Sequence, residues 1–364
     1  MSALKELYNE TFYKEVSKTL ALHLPQFDQR KFIKKVMASP FDEMELKQRT
    51  THTAQTLHAF MPSDFKKAAP LVVAISKTLR QQGPGRLEHI FLPEYLALYG
   101  TQHPYVAVKA MKEVTQLISC EFAIRPFIIA HPYDLLKVMT EWTKHPSRHV
   151  RRLACEGSRP RLPWGMALGF LKADPSPTLP ILEALKSDTC EIVRRSVANH
   201  LNDISKGHPN VLLHIASKWK GQSPQTDAIL KHACRTLLKA GDTKALRIFG
   251  LAPDASIVLS QFKVLTPVVK EEQSVDFTFI LHNTSTNKKL VRLEYAMYYL
   301  RANGSHSKKV FKISEREYAP NEKAAIQRSQ SFRRITTRVY YKGLQQLSIV
   351  INGKESDVKK FELT

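Results

Sequence analysis

Near residue 254 the spacing of apolar residues changes, and this constrains the fold more than any other feature of the chain. Up to about Asp254 they recur at three- and four-residue intervals, as in Val106, Ala110, Val114, Leu117 and Ile118, or Leu135, Val138, Met139 and Trp142. That spacing turns one face of a helix toward a core. Proline or glycine interrupts the pattern often enough to divide it into many short helices. From Ala255 the pattern alternates instead. Val275, Phe277, Phe279 and Leu281 share one face, as do Leu293, Tyr295, Met297 and Tyr299, and then Leu347, Ile349 and Ile351. Alternation marks strands with one buried face. Turn signals separate these runs at Asn283 to Asn287, Asn303-Gly304, Pro320-Asn321 and Asn352-Gly353.

The fold class is therefore mainly α. An all-helical domain is expected over residues 1–254, followed by a smaller all-β domain over 255–364. Roughly seven short strands in the second region suggest an immunoglobulin-like or fibronectin-like sandwich. The helical region also repeats itself. HPSRHVRRLACEG from His145, SDTCEIVRRSVANHL from Ser187 and SPQTDAILKHACRTLL from Ser223 share a pattern, and QHPYVAVKAMKEV from Gln102 is a degenerate fourth copy. Val150, Val193 and Ile229 stand 43 and 36 residues apart, which brackets the HEAT-type two-helix repeat. One such unit cannot bury its apolar face alone, so neighbours stack into a solenoid with an extended concave surface.

The formal charge is +22, of which residues 255–364 carry +9 and residues 1–254 carry +13. Solubility requires far less, so the partner is a polyanion, with nucleic acid ahead of an acidic membrane surface. The smaller domain is the more basic per residue and is read as a second contact with that polyanion. Apolar runs such as Leu71 to Ile75 are too short to cross a membrane. The N-terminal MSALKELYNETFYKEV places acids where a signal peptide needs an apolar core, so a cytoplasmic protein is expected. Cys120, Cys155, Cys190 and Cys234 form no CxxC pair and read as reduced core thiols. The 14 histidines show no metal-binding spacing, and neither a phosphate-cradling glycine loop nor a GxSxG serine occurs.

The stretch KHPSRHVRRLACEGSRPRLPW, Lys144 to Trp164, places a single acid, Glu156, among Lys144, Arg148, Arg151, Arg152, Arg159 and Arg161. A carboxylate beside phosphates is repelled, so a purely electrostatic binder gains nothing from it. Glu156 is structural, paired with Arg152 one helical turn earlier, or it is chemical. The pairs Arg151-Arg152 and Arg194-Arg195 recur at equivalent positions. Within each pair, one arginine can serve a turn carbonyl or acid of the repeat while the other meets phosphate. On this evidence alone a non-catalytic scaffold for nucleic acid or an acidic protein stands beside an enzyme.

Three segments carry a family resemblance: SCEFAIRPF around Glu121, HPSRHVRRLACEGSRPRLPW ending at Trp164, and VRRSVANHLNDISKGHP from Val193 to Pro209. They resemble the AlkC group of HEAT-like-repeat DNA alkylation-repair glycosylases, some members of which carry a basic C-terminal β-sandwich. The resemblance implies hydrolysis of the N-glycosidic bond of cationic N3-alkylated bases, 3-methyladenine and 3-methylcytosine, in duplex DNA. It implies an abasic product, no extrusion of the damaged nucleotide into a tight pocket, and a bacterial, nucleoid-associated enzyme. Glu156, Asp203 and Glu121 then take the catalytic roles, with Trp164 beside the lesion. Arg148, Arg151, Arg152, Arg159, Arg161, Arg194 and Arg195 take the DNA. Advancing one 43-residue repeat from Glu156 reaches Asn199, a helical turn before Asp203, so both acids can face one groove. Taken alone, Asp203 also reads as a helix-end turn residue and Trp164 as core. The expected partner is alkylated double-stranded DNA, engaged by a monomer without membrane, metal or cofactor.

Overall fold

The computed structural model describes residues 4–335 and 338–364. Sixteen α-helices and four short 3₁₀ segments precede the first strand among the described residues, the last helix ending at Ile248 and the first strand opening at Ile257. The chain forms two compact units, Met1–His208 with Ser223–Ala233, and Pro209–Gln222 with Cys234–Thr364.

In the first unit the repeat copies fall on helices Pro104–Val114, Arg148–Gly157, Glu191–Ser205 and Pro224–Ala233. The last three pack side by side, with Glu191–Ser205 in the middle. Val150, Val193 and Ile229, the residues that define the repeat spacing, are all buried. The stacked helices thus share one apolar seam, as a HEAT-like solenoid requires.

In the second unit, helices Pro209–Trp219, Arg235–Ala240 and Thr243–Ile248 accompany nine strands: β1 (Ile257–Val264), β2 (Val268–Val269), β3 (Ser274–Asn283), β4 (Lys289–Leu300), β5 (His306–Tyr318), β6 (Lys323–Ser331), β7 (Gly343–Ile351), β8 (Lys354–Glu355) and β9 (Lys359–Leu363). One sheet runs β1-β3-β6 and the other β2-β9-β7-β4-β5, with β8 paired to β7. All pairings are antiparallel except β2 with β9. Val275, Phe277, Phe279 and Leu281 of β3 share a core with Leu293, Tyr295, Met297 and Tyr299 of β4 and Leu347 and Ile349 of β7, giving a two-sheet sandwich. The β7–β8 connection is Asn352-Gly353, at φ +45° and +76°, the paired left-handed geometry that a tight hairpin selects.

Cys120, Cys155 and Cys234 are buried thiols, whereas Cys190 is only half-buried because it precedes the Glu191–Ser205 helix. Among the described residues no helix is long and apolar enough to cross a membrane, and no three His, Cys, Asp or Glu side chains gather to hold a metal ion.

Candidate active site

The site is built where the Arg148–Gly157 helix ends. A Cβ on Gly157 would lie 2.9 Å from Cγ2 of Ile124, so glycine permits the close approach of this helix end to the segment before Arg125. Arg125 itself is wholly buried and spends its guanidinium on three carbonyls. Nε donates to Met166 O at 2.5 Å, Nη1 to Gly157 O at 2.8 Å and Nη2 to Arg159 O at 2.8 Å. Those carbonyls bracket the loop that carries Arg159, Arg161 and Trp164. Burial, and then the Arg159 guanidinium, pull Arg125 down to about 10, against the opposite pull of Asp203, Glu156 and Glu121.

Held in this way, Arg159 points inward. Its Nε and Nη2 both lie 2.8 Å from Asp203 Oδ2, and its Nη1 donates to Glu156 Oε1 at 2.5 Å. The second oxygen of Glu156 accepts from Ser196 Oγ at 2.5 Å, and that of Asp203 from Lys206 Nζ at 3.0 Å. Burial alone would lower the Arg159 pKa, but Glu156 and Asp203 outweigh it and hold the guanidinium above its ordinary value. Glu121 joins from the other side, its Oε2 accepting from Arg152 Nη1 at 2.6 Å and Ser119 Oγ at 2.7 Å. Arg152 Nη2 lies 3.9 Å from Glu156 Oε1. Acids and cations therefore alternate along a ladder: Glu121, Arg152, Glu156, Arg159, Asp203, Lys206.

The structure thus brings Glu121, Glu156 and Asp203 together. Asp203 is 3 % exposed and is no solvated helix-end residue. Glu156 has Arg159, not Arg152, as its close partner. Trp164 is outside the core: it is 67 % exposed and its backbone sits at φ +65°, a left-handed conformation uncommon for a bulky residue. Lys47 Nζ donates to its carbonyl at 2.6 Å and helps to hold it there.

Three of the expected DNA-binding arginines are engaged within the protein. Arg159 is buried between two carboxylates and cannot meet phosphate from that position. Arg151 gives Nε and Nη2 to the Asp188 carboxylate at 2.6 and 3.0 Å and Nη1 to the His145 and Pro146 carbonyls at 2.9 and 2.8 Å. Arg194 repeats that role one unit later, its Nη1 donating to the Asp188 and Thr189 carbonyls at 2.6 and 3.0 Å. The first arginine of each pair therefore serves the repeat turn. The second is differently placed: Arg152 meets Glu121, and Arg195 is exposed and paired with Glu191 at 3.0 Å. Arg148 and Arg161 are exposed.

Arg125 lies within the SCEFAIRPF segment, but neither that motif nor the repeat spacing reveals its role. Its signal in the sequence is a lone charge among the apolar residues of FAIRPFII, where a buried arginine needs fixed acceptors.

Fold and site together define a helical-repeat protein with a partly buried ladder of carboxylates and cations, joined to a β-sandwich. Residues 258–364 match the family model described as the C-terminal Ig-like domain of the uncharacterised protein YhaZ. Uncharacterized protein YhaZ of Bacillus subtilis (strain 168) is 40 % identical over 365 residues, covering 100 % of both chains. The solved structure of Pseudomonas fluorescens alkylpurine DNA glycosylase AlkC, bound to DNA containing an abasic site analog, matches with a TM-score of 0.94 and 34 % identity, covering 100 % of each chain. This chain belongs to the AlkC family and carries the YhaZ-type Ig-like domain at its C-terminal end.

Proposed function

We propose that the chain is a DNA glycosylase that releases cationic N3-alkylated bases, 3-methyladenine and 3-methylcytosine, from duplex DNA and leaves an abasic site. The observation that carries this reading is the convergence of Glu121, Glu156 and Asp203 on one arginine-linked ladder in a chain of charge +22. A base alkylated at N3 is already positively charged and departs neutral, so its release needs no general acid. What remains is to stabilise an oxocarbenium-like sugar and to place water against C1′, work that carboxylates do in glycoside hydrolysis. Both oxygens of Glu156 and Oδ1 of Asp203 each hold one donor and keep lone-pair capacity for water, while Asp203 Oδ2 takes two N–H groups of Arg159.

A carboxylate about 4 Å from the developing charge is worth about 4 kcal/mol at an effective dielectric near 20. That corresponds to roughly a thousandfold in rate. Arg159 fixes the two acids and stays charged; Arg152 and Lys206 are the rim cations, with side chains 26 % and 42 % exposed, able to exchange their acids for phosphate. In this account water is the nucleophile, the chain acts as a monomer on the bacterial nucleoid, and the damaged nucleotide is not extruded, a point supported by the family resemblance. The basic C-terminal domain supplies a second set of phosphate contacts.

The test is incubation with duplex containing 3-methyladenine, scoring free base and alkali-labile abasic sites. Both should rise together. Binding without release would favour a non-catalytic scaffold.

A further inference from the structure

Beside Trp164, within the helical-repeat unit, lies a cavity of about 370 Å³. Its wall is largely apolar, with Phe122, Trp164 and Met166 contributing; Thr50, Thr51 and Lys47, whose Nζ is given to the Trp164 carbonyl, add polar groups, and two further polar residues face it. One is Glu94, whose Oε1 accepts from Thr51 Oγ1 at 2.8 Å and whose Oε2 takes no hydrogen bond from the described residues. The other is Ser119, which donates to Glu121 Oε2 and accepts from Arg152 Nη1 at 3.0 Å. The cavity therefore adjoins the acid ladder through Ser119, while none of the chemistry described above uses Thr51, Glu94 or Phe122.

We propose that this cavity is a holding site for the free nucleobase once its bond to the sugar is cut, selective for bases that carry an exocyclic amino group. The proposal rests on the glycosylase reading and extends it to the fate of the product. A base that is not extruded before cleavage must still leave the duplex afterwards, and this cavity is a partly enclosed, apolar space directly beside the acids. Its size suits a small planar ligand. An exposed indole offers a stacking face that any base can use. The carboxylate, positioned by Thr51, supplies an acceptor suited to an exocyclic amino group. A keto-substituted base presents an oxygen there and meets repulsion instead.

The full chain is titrated with free 3-methyladenine and followed by tryptophan fluorescence and calorimetry. Trp142 and Trp219 are buried, so Trp164 is the solvent-facing reporter. Saturable quenching is expected, and it should vanish in W164F. Affinity should fall tenfold or more in E94Q, and by a similar factor for wild type with hypoxanthine in place of adenine. A97L, which narrows the cavity without altering a charge, should also weaken binding and serves if E94Q fails to fold.

Absence of saturable binding, or affinity unchanged in both E94Q and A97L, overturns the holding site. Equal affinity for adenine and hypoxanthine overturns the amino selectivity. The titration needs neither DNA nor turnover, so its failure leaves the glycosylase reading standing. Failure of the wild-type chain to release base from alkylated duplex overturns both.

Discussion

At the scale of single residues, Arg159 explains why the acids are difficult to mutate cleanly. Replacing it with Met leaves the buried carboxylates of Glu156 and Asp203 without their shared guanidinium, and breaking a buried pair costs about 3–5 kcal/mol. R159M should therefore show a large loss of stability in urea unfolding together with loss of base release. Trp164 makes the contrasting prediction. Its side chain is exposed and its backbone is left-handed, so W164G removes little packing, and the conformational cost it relieves, about 1–2 kcal/mol, is offset by the greater freedom of glycine in the unfolded chain. Its melting temperature should stay close to wild type while base release falls, which separates a role at the lesion from a role in folding. His200 supplies a pH dependence. Burial pushes it down to about 3, against the raising effect of the Cys155 carbonyl, from an ordinary 6.5. Below pH 6.5 the unfolded chain therefore binds a proton that the folded chain refuses, and stability declines as pH falls from 6.5 toward 3. H200N should flatten that part of the stability–pH curve, and an unaltered slope would show that other groups set it.

At the scale of elements, Arg151 ties two successive repeats together. Its side chain is 15 % exposed, that of Asp188 is 4 % exposed, and the pair also organises the turn before the Glu191–Ser205 helix. Burial alone would raise Asp188, but the Arg151 hydrogen bonds and the Cys190 N–H outweigh it and hold the carboxyl below its ordinary value. A double-mutant cycle with R151M and D188N should give a coupling energy of about 1–3 kcal/mol, and a coupling near zero would reduce the pair to a solvated surface pair. Val150, Val193 and Ile229 announced the repeat because burial imposes a period on a helix. Val275 to Leu281 announced a strand because the same constraint alternates there. Adding the repeat length to Glu156 reaches only Asn199, a helical turn short of Asp203, so the period allowed both acids to face one groove while the role of Asp203 came from the family resemblance. The partnership of Arg159 with both acids was not legible, because a loop fixed by Arg125 turns it inward, and no local period records where a loop side chain will point.

For the whole molecule, the change of period near residue 254 marks a change of secondary structure, whereas compactness groups three of the preceding helices with the sheets. Truncation at 254 would strip those helices of their own unit, so the proposed DNA-binding role of the C-terminal region is better tested by charge removal. Lys308, Lys309, Arg333 and Arg334 are exposed there. Changing all four to Gln should weaken binding to duplex DNA and reduce the slope of log affinity against log salt by about 0.9 for each phosphate that is no longer neutralised. An unchanged slope would remove these residues from the interface. Base release measured at saturating enzyme should persist, because the acid ladder lies wholly in the helical-repeat unit.

We propose that Glu156 acts on the reacting sugar and is more than a partner for Arg159. Single-turnover release of 3-methyladenine from duplex DNA by E156Q, compared with wild type and accompanied by a DNA-binding measurement, tests it most directly. The expected rate is lower by roughly a thousandfold, with binding retained or tightened and the fold intact by circular dichroism. Release at the wild-type rate by a folded, DNA-binding E156Q would contradict it.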